Sequence, residues 1–378
     1  MHSPKCAHAR PVRPHQLWII FWLFLFSASA ALGQQYNIVD LGNLGGTTTV
    51  AYGINKNGDA TGFSYSTGGG CYLQTFLYTD GSGMTDIGLQ PGFGGCNYGV
   101  SINDAGQIAF NGDHHPGSGD YTAHRYTPNV GAIDLGELPG DIGSYAVRIN
   151  ASGQVVGGSV TDSTGLLGDP FLYSDNTGMV DLGNLGGGRG TASGINVHST
   201  VVGSARTPTT PVGDIWNIGD AFVYADKTGI VNLNSIILNH GWHLYNAAAI
   251  DKKGVIVGYG QHTTKKKQVL DAYRYNPQTH TVSDLGTFVG GGISYALDIN
   301  SKGWIAGAAY LDGSGVGNFR AAVWQPGKPG AQNLNNLIPQ GTGWVLRQAT
   351  GINDQGQIVG WGYVSNGDTH AFRLDPVK

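Results

Sequence analysis

An all-β fold, a seven-bladed β-propeller of four-stranded antiparallel blades, is what this sequence predicts. Three observations carry the expectation. An Ile-Asn or Ile-Asp pair recurs seven times, each repeat holds four short strand-like segments, and the two ends of the chain complement one another.

The pairs are Ile54-Asn55, Ile102-Asn103, Ile149-Asn150, Ile195-Asn196, Ile250-Asp251, Ile299-Asn300 and Ile352-Asn353, spaced by 48, 47, 46, 55, 49 and 53 residues. Each opens an Asn-x-x-Gly turn ending at Gly58, Gly106, Gly153, Gly254, Gly303 or Gly356, with Ser199 as the exception. The spacing suits a hairpin. Asn or Asp at the first position bonds the turn backbone, and Gly at the fourth takes the left-handed conformation that rejoins a twisted pair.

A second strand follows, as in Gln154-Val155-Val156-Gly157 and Gln357-Ile358-Val359-Gly360. After a variable stretch comes a third, Phe76-Leu77-Tyr78, Phe171-Leu172-Tyr173, Phe222-Val223-Tyr224 or Ala322-Val323-Trp324. A short turn then leads to a fourth, such as Gly178 to Gly183. Three positions before each Ile stand Ala51, Gly99, Ala146, Ala192, Ala247, Ala296 and Ala349. Strict alternation would put these small residues on the strand face opposite the Ile, where blades crowd at the centre.

Closure is read from the ends. The last repeat stops after a third strand, His370 to Leu374, while Tyr36 to Gly42 is a fourth strand without its first three. Pairing the N-terminal strand into the last blade removes the open edges that would template aggregation. An open β-solenoid is the rival architecture, but its coils are usually shorter than these units.

Composition agrees with an all-β chain. Only 12% of residues are charged, glycines number 63, apolar residues make up 40%, and Glu137 is the sole glutamate. Residues 1–33 read as a signal peptide: Lys5, Arg10 and Arg13, an apolar run from Leu17 to Phe26, then small residues. That run is short of the roughly 20 residues that span a bilayer. The expected product is a secreted or periplasmic single domain, residues 34–378, monomeric and with no stable membrane insertion. Losing the three basic residues takes the net charge from -4 to -7, which argues against a nucleic-acid partner.

The Asp-Leu-Gly and Leu-Gly-Gly elements of Asp40 to Gly46 and Asp181 to Gly187, the Ile-Asn-x-x-Gly turns and His370-Ala371-Phe372 resemble the extracellular repeat family called HAF after its His-Ala-Phe tripeptide. The resemblance covers essentially all of residues 36 to 375. It implies no catalytic residue, because no activity comes with the family.

Loops between strands two and three and those joining blades share one face, the variable one, and binding residues usually lie on such loops. Trp216, His114 and His115 fall there and are the candidate ligand-binding residues. Asp113-His114-His115, with Asp120 and His124, is the best metal-like cluster, but adjacent histidines on a strand face opposite ways, so no metal or cofactor is expected. Cys71 and Cys96, the two cysteines of the mature chain, are expected to form a disulfide. Arg125, Arg274 and Arg373 occupy one repeated place and read as periodic surface residues. Trp242 and Trp344 recur in equivalent connections and read as packing residues.

No nucleophile elbow, phosphate loop or His-Glu-x-x-His is present. The expected function is a binding or surface-interaction module for an unknown extracellular ligand, glycan or cell-surface component, rather than an enzyme. The alternative is an extracellular carbohydrate-active enzyme, a polysaccharide lyase or hydrolase, since residues from different blades can converge without a linear motif.

Overall fold

The structure, a computed structural model, describes residues 35–67, 73–87, 96–113, 121–161, 167–210, 219–238, 241–264, 267–312 and 317–377. The unit Gln34–Lys378 is an all-β propeller whose sheets are antiparallel meanders. The chain opens with β1 (Tyr36–Asp40), β2 (Gly45–Ile54), β3 (Ala60–Ser66), β4 (Leu73–Thr79) and β5 (Gly83–Asp86). Later repeats follow the same order, their first strands being Asn97–Ile102, Gly143–Ile149, Gly190–Ile195, Trp242–Ile250, Ser294–Ile299 and Val345–Ile352.

The expectation of a seven-bladed propeller is overturned: the structure has five discrete four-stranded blades, not seven, and the strands of the first and last repeats belong to one eight-stranded sheet. The cause is local. β1 lies antiparallel on the last strand, Thr369–Pro376, and only residues 41–44 connect it to β2. That short connection holds the start of β2 against the same strand, where Thr48 bridges in parallel to Thr369.

The β1 contact joins the chain ends. Tyr36 faces Pro376 and Asp40 faces Phe372 in register. Tyr36 is 2% exposed and packs with Leu334, Leu337, Leu346, Phe372 and Leu374, so the N-terminal strand belongs to the core. Burying a side chain of that size stabilises by roughly 2–3 kcal/mol.

Each Ile-Asn pair makes two kinds of bond. Asn55 Oδ1 accepts from the backbone N–H of Asn57 and Asp59, at 2.9 and 3.0 Å, which closes the turn. Asn Nδ2 instead donates to the carbonyl of the equivalent residue in the next repeat. Such links run from Asn103 to Asn150 at 3.0 Å, Asn150 to Asn196 at 3.1 Å, Asn196 to Asp251 at 3.2 Å and Asn300 to Asn353 at 2.9 Å. Asn353 to Asn55 (2.9 Å) and Asn55 to Asn103 (3.4 Å) carry the ring across the chain ends. Asp251 has no amide to donate, and the ring lacks the link from it to Asn300.

The alternation rule fails between the small residue and the Ile. Every first strand has a register irregularity there, as between Ala51 and Gly53 or Ala146 and Arg148. The extra residue brings the Ala and the Ile to the same blade face, where Ala146 and Ile149 share one core cluster with Val155 and Phe171. A Cβ on Gly99 would meet Thr61 Oγ1 of the first repeat at 2.5 Å, so this position does face the neighbouring repeat. The second-strand glycine is equally constrained: a Cβ on Gly62 would lie 1.9 Å from the Val50 carbonyl oxygen.

The repeated arginine position also departs from its surface reading. Arg125 and Arg373 are 6% and 4% exposed. Their Nη1 atoms donate to the turn carbonyls of Gly153 (2.8 Å) and Gly58 (2.9 Å) in the next repeat around the ring. Arg274 remains exposed.

Candidate functional site

The bulges decide what faces the channel. At each one, two first-strand residues oppose a single partner, and the residues two positions before the Ile, Tyr52, Val100, Val147, Leu297 and Thr350, line a common cavity. Unlike the Ile and the Asn, these residues differ from repeat to repeat. A pocket of about 370 Å³ results, lined by Tyr52, Tyr98, Tyr145, Arg148, Gln348 and Thr350 among others. Tyr52, Tyr98, Tyr145 and Gln348 stand two to four positions ahead of the Ile-Asn pairs, so the pocket occupies the half of the channel away from the tight turns.

Its polar groups are neutral or paired. Burial pushes the Tyr98 phenol up to about 12, and the Tyr145 phenol is raised further by the same cause. Both are therefore uncharged donors at neutral pH, and the Tyr145 hydroxyl bonds Thr191 Oγ1. Arg148 reaches across the channel to Asp298, Nη2 to Oδ1 at 3.5 Å, from a strand three repeats away. Asp298 Oδ2 also accepts from the Ile352 backbone N–H at 2.9 Å. Burial raises the Asp298 carboxyl, and Arg148 opposes that shift.

Beyond the pair lies a second pocket of about 280 Å³ at the tight-turn mouth, lined by Asn55, Lys56, Asp104, Asn150, Lys252 and Asp354 among others. The same turn bonds repeat there, with Lys56 Nζ 3.7 Å from Asp104 Oδ2.

An aromatic run extends from the first pocket toward the variable face. Trp361 Nε1 donates to Gln348 Oε1 at 3.0 Å, and its ring lies 6.0 Å from Phe319 and 6.1 Å from Tyr363. Phe319 continues to Tyr310 at 5.8 Å and Tyr295 at 6.4 Å beyond it. Arg347 lies over the Phe319 ring at 4.3 Å and the Tyr363 ring at 5.4 Å. Tyr363 is 40% exposed, so the run reaches solvent.

The predicted ligand residues Trp216, His114 and His115 lie outside the described residues, as do Asp120, Cys71 and residues 1–34. Cys96 stands just before the strand Asn97–Ile102. His124, grouped with the histidine cluster in the sequence, is fully buried and stacks on Phe110 at 5.0 Å. It occupies the third-strand place held elsewhere by Phe, which is a core position. Trp242 stacks on His262 at 4.0 Å, and Trp344 meets Phe372 edge-on at 6.1 Å, so both pack within their repeats.

A metal-capable group does occur among the described residues, at a place the sequence did not suggest. His262, Asp271 and Asp284 each offer one ligand atom, and the three atoms lie within 4.8 Å of one another. Their sequence spacing fits no metal motif. Strand pairing alone brings them together.

No family model matches the chain, and no curated protein matches it. Solved structures do. An oligogalacturonate lyase from Vibrio parahaemolyticus is 12% identical, covering 90% of this chain and 97% of that one, with a TM-score of 0.54. An oligogalacturonate lyase in complex with manganese is 11% identical over 90% and 93% of the two chains, with a TM-score of 0.55. An acylaminoacyl peptidase is 14% identical with a TM-score of 0.50, and only 51% of its chain is covered. At such identities the likeness establishes the propeller fold and no more. Among the described residues, no helix is long and apolar enough to cross a membrane.

Proposed function

We propose that this is an exported, HAF-type propeller that takes a saccharide chain in the tyrosine-lined half of its channel. The observation that carries the reading is the pocket itself: about 370 Å³, walled by Tyr52, Tyr98 and Tyr145, and continued by Trp361 and Tyr363 toward the variable face. Sugar rings present C–H faces that pack on aromatic rings and hydroxyls that need fixed donors. Neutral phenols supply those donors without the desolvation cost of a charge. The protein is secreted after cleavage of residues 1–33, acts as a monomer, and carries a Cys71–Cys96 disulfide.

A carbohydrate-active enzyme, a polysaccharide lyase or hydrolase, is the second reading. Similarity to the folds of two oligogalacturonate lyases favours it. Within the pocket, Arg148 could neutralise a substrate carboxylate if Asp298 released it. Tyr98 and Tyr145 can give a proton to a leaving oxygen. They cannot take one at neutral pH, so the lining groups leave the base unassigned, and binding without turnover is the better-supported half of the proposal.

Screening the mature protein against neutral and acidic oligosaccharides tests both readings. Saturable binding without product supports the module, product formation supports the enzyme, and failure of every saccharide to bind overturns the proposal.

A further inference from the structure

We propose that the fifth repeat holds a divalent metal ion of the zinc or manganese class, bound by His262, Asp271 and Asp284. The inference does not depend on the saccharide reading. His262 Nε2 lies 3.0 Å from Asp271 Oδ2 and 3.5 Å from Asp284 Oδ2. Ligands at about 2.0–2.2 Å from one zinc ion stand roughly 3–4 Å apart, and imidazole with two carboxylates is a donor set that suits such ions.

The group is prepared for its role. His262 and Asp271 are 8% and 6% exposed, while the Asp284 side chain is 41% exposed and leaves a route from solvent. Trp242 stacks flat on the His262 ring, 4.0 Å away and 10° from parallel, and so fixes the direction of Nε2. Ser294 Oγ donates to Asp271 Oδ1 at 3.4 Å, which leaves Oδ2 facing the imidazole. Supporting contacts of this kind hold metal ligands in place.

Comparison among the repeats distinguishes the group from an ordinary hydrogen-bonded pair. In the last repeat the equivalent place holds His370 and Asp40, one imidazole to one carboxylate at 2.9 Å. In the fourth, Asp220 takes His243 at 2.8 Å and the amide of Asn232 at 2.7 Å. In the fifth, an Asp stands at the His370 place and a second Asp at the Asp40 place. Two carboxylates then share one imidazole, an excess of negative charge even when the His is protonated. A bound dication removes that excess.

The test uses tag-free mature protein stripped with chelator, titrated calorimetrically with Zn²⁺ and with Mn²⁺, alongside Asp284→Asn and His262→Gln. We expect one tight equivalent of at least one ion, a melting temperature raised by that ion, and at least tenfold weaker binding in Asp284→Asn. Metal-free Asp284→Asn should remain folded, because the Asp284 side chain is 41% exposed. Absence of binding by both ions overturns the proposal, as does binding unchanged in Asp284→Asn. Should His262→Gln not fold, the exposed Asp284 variant decides alone.

Discussion

Asn353 Nδ2 donates to the carbonyl oxygen of Asn55 at 2.9 Å, joining residues 298 positions apart in the chain. The same side chain's Oδ1 closes its own turn through the N–H groups of Gln355 and Gln357, both at 3.0 Å. One residue type thus ends the inner strand, shapes the turn and ties each repeat to the next. That double duty accounts for the recurrence of Asn better than turn propensity alone, because Asp would serve the turn equally well.

Asp251 is the natural experiment. Its carboxylate caps the turn, accepting from Lys253 and Val255 N–H at 2.8 and 2.9 Å, yet it cannot donate onward. Asp251→Asn should supply the missing link to the Asn300 carbonyl and stabilise by about 1 kcal/mol, read as a melting temperature higher by a degree or more. Asn353→Asp should do the reverse. Equal melting of all three proteins would show that the inter-repeat bonds contribute nothing.

Removing residues 34–42 should do far more harm than trimming a frayed terminus. The deletion takes away the strand paired with Thr369–Pro376 and two residues, Tyr36 and Leu41, that are each 2% exposed. A drop of many degrees in the melting temperature, or loss of the monomer to aggregation, is expected. A truncated protein that melts with the parent and stays monomeric would contradict the closure.

Cys71 and Cys96 should be oxidised to one another in protein purified without reductant. In the chain-entropy description a loop of about 25 residues contributes on the order of 3 kcal/mol. Intact mass after alkylation, with and without prior reduction, checks this. Two thiols open to alkylation in unreduced protein would exclude the bridge.

Alkaline pH should unfold the protein through its buried phenols. Burial holds Tyr36, Tyr98 and Tyr295 up to about 12, against 10 for the free side chain. The folded state therefore binds protons that the unfolded state has released. Stability is fully present below about pH 10 and is lost as pH rises from there toward about 12. Melting curves at pH 8, 10 and 11, with phenolate absorbance followed at each, should show these tyrosines ionising only together with unfolding. Their titration near pH 10 in folded protein would contradict the burial.

What the sequence made legible was what repeats. The Ile, the Asn turn and the third-strand Phe recur because each packs or bonds identically in every repeat, and the complementary ends foretold the partner of β1. Other features escaped. Residues 41–44 are too few to separate β1 from β2, and this merges the terminal repeats into one sheet. The strict alternation of strands hid the bulges, which invert the relation of Ala146 to Ile149. Arg125 and Arg373 looked like surface residues because a charged side chain at a strand position gives no sign of a buried carbonyl partner. Tyr52, Tyr145 and Arg148 were passed over because no one residue type fills their places in every repeat, although the tyrosine four positions before the Ile at Tyr98, Tyr145 and Tyr295 was an available signal. His262, Asp271 and Asp284 meet only through strand pairing, and no linear spacing announces them.

Paired titrations locate the saccharide in the channel. An oligosaccharide that binds in the screen is titrated into the parent, into Gln348→Ala and Tyr52→Ala in the tyrosine-lined pocket, and into Lys56→Ala and Gln355→Ala at the tight-turn mouth. About a tenfold loss of affinity for the first two, with binding by the other two unchanged and all four still folded, is the predicted result. Loss confined to Lys56→Ala and Gln355→Ala would place the site at the opposite mouth of the channel and contradict the account.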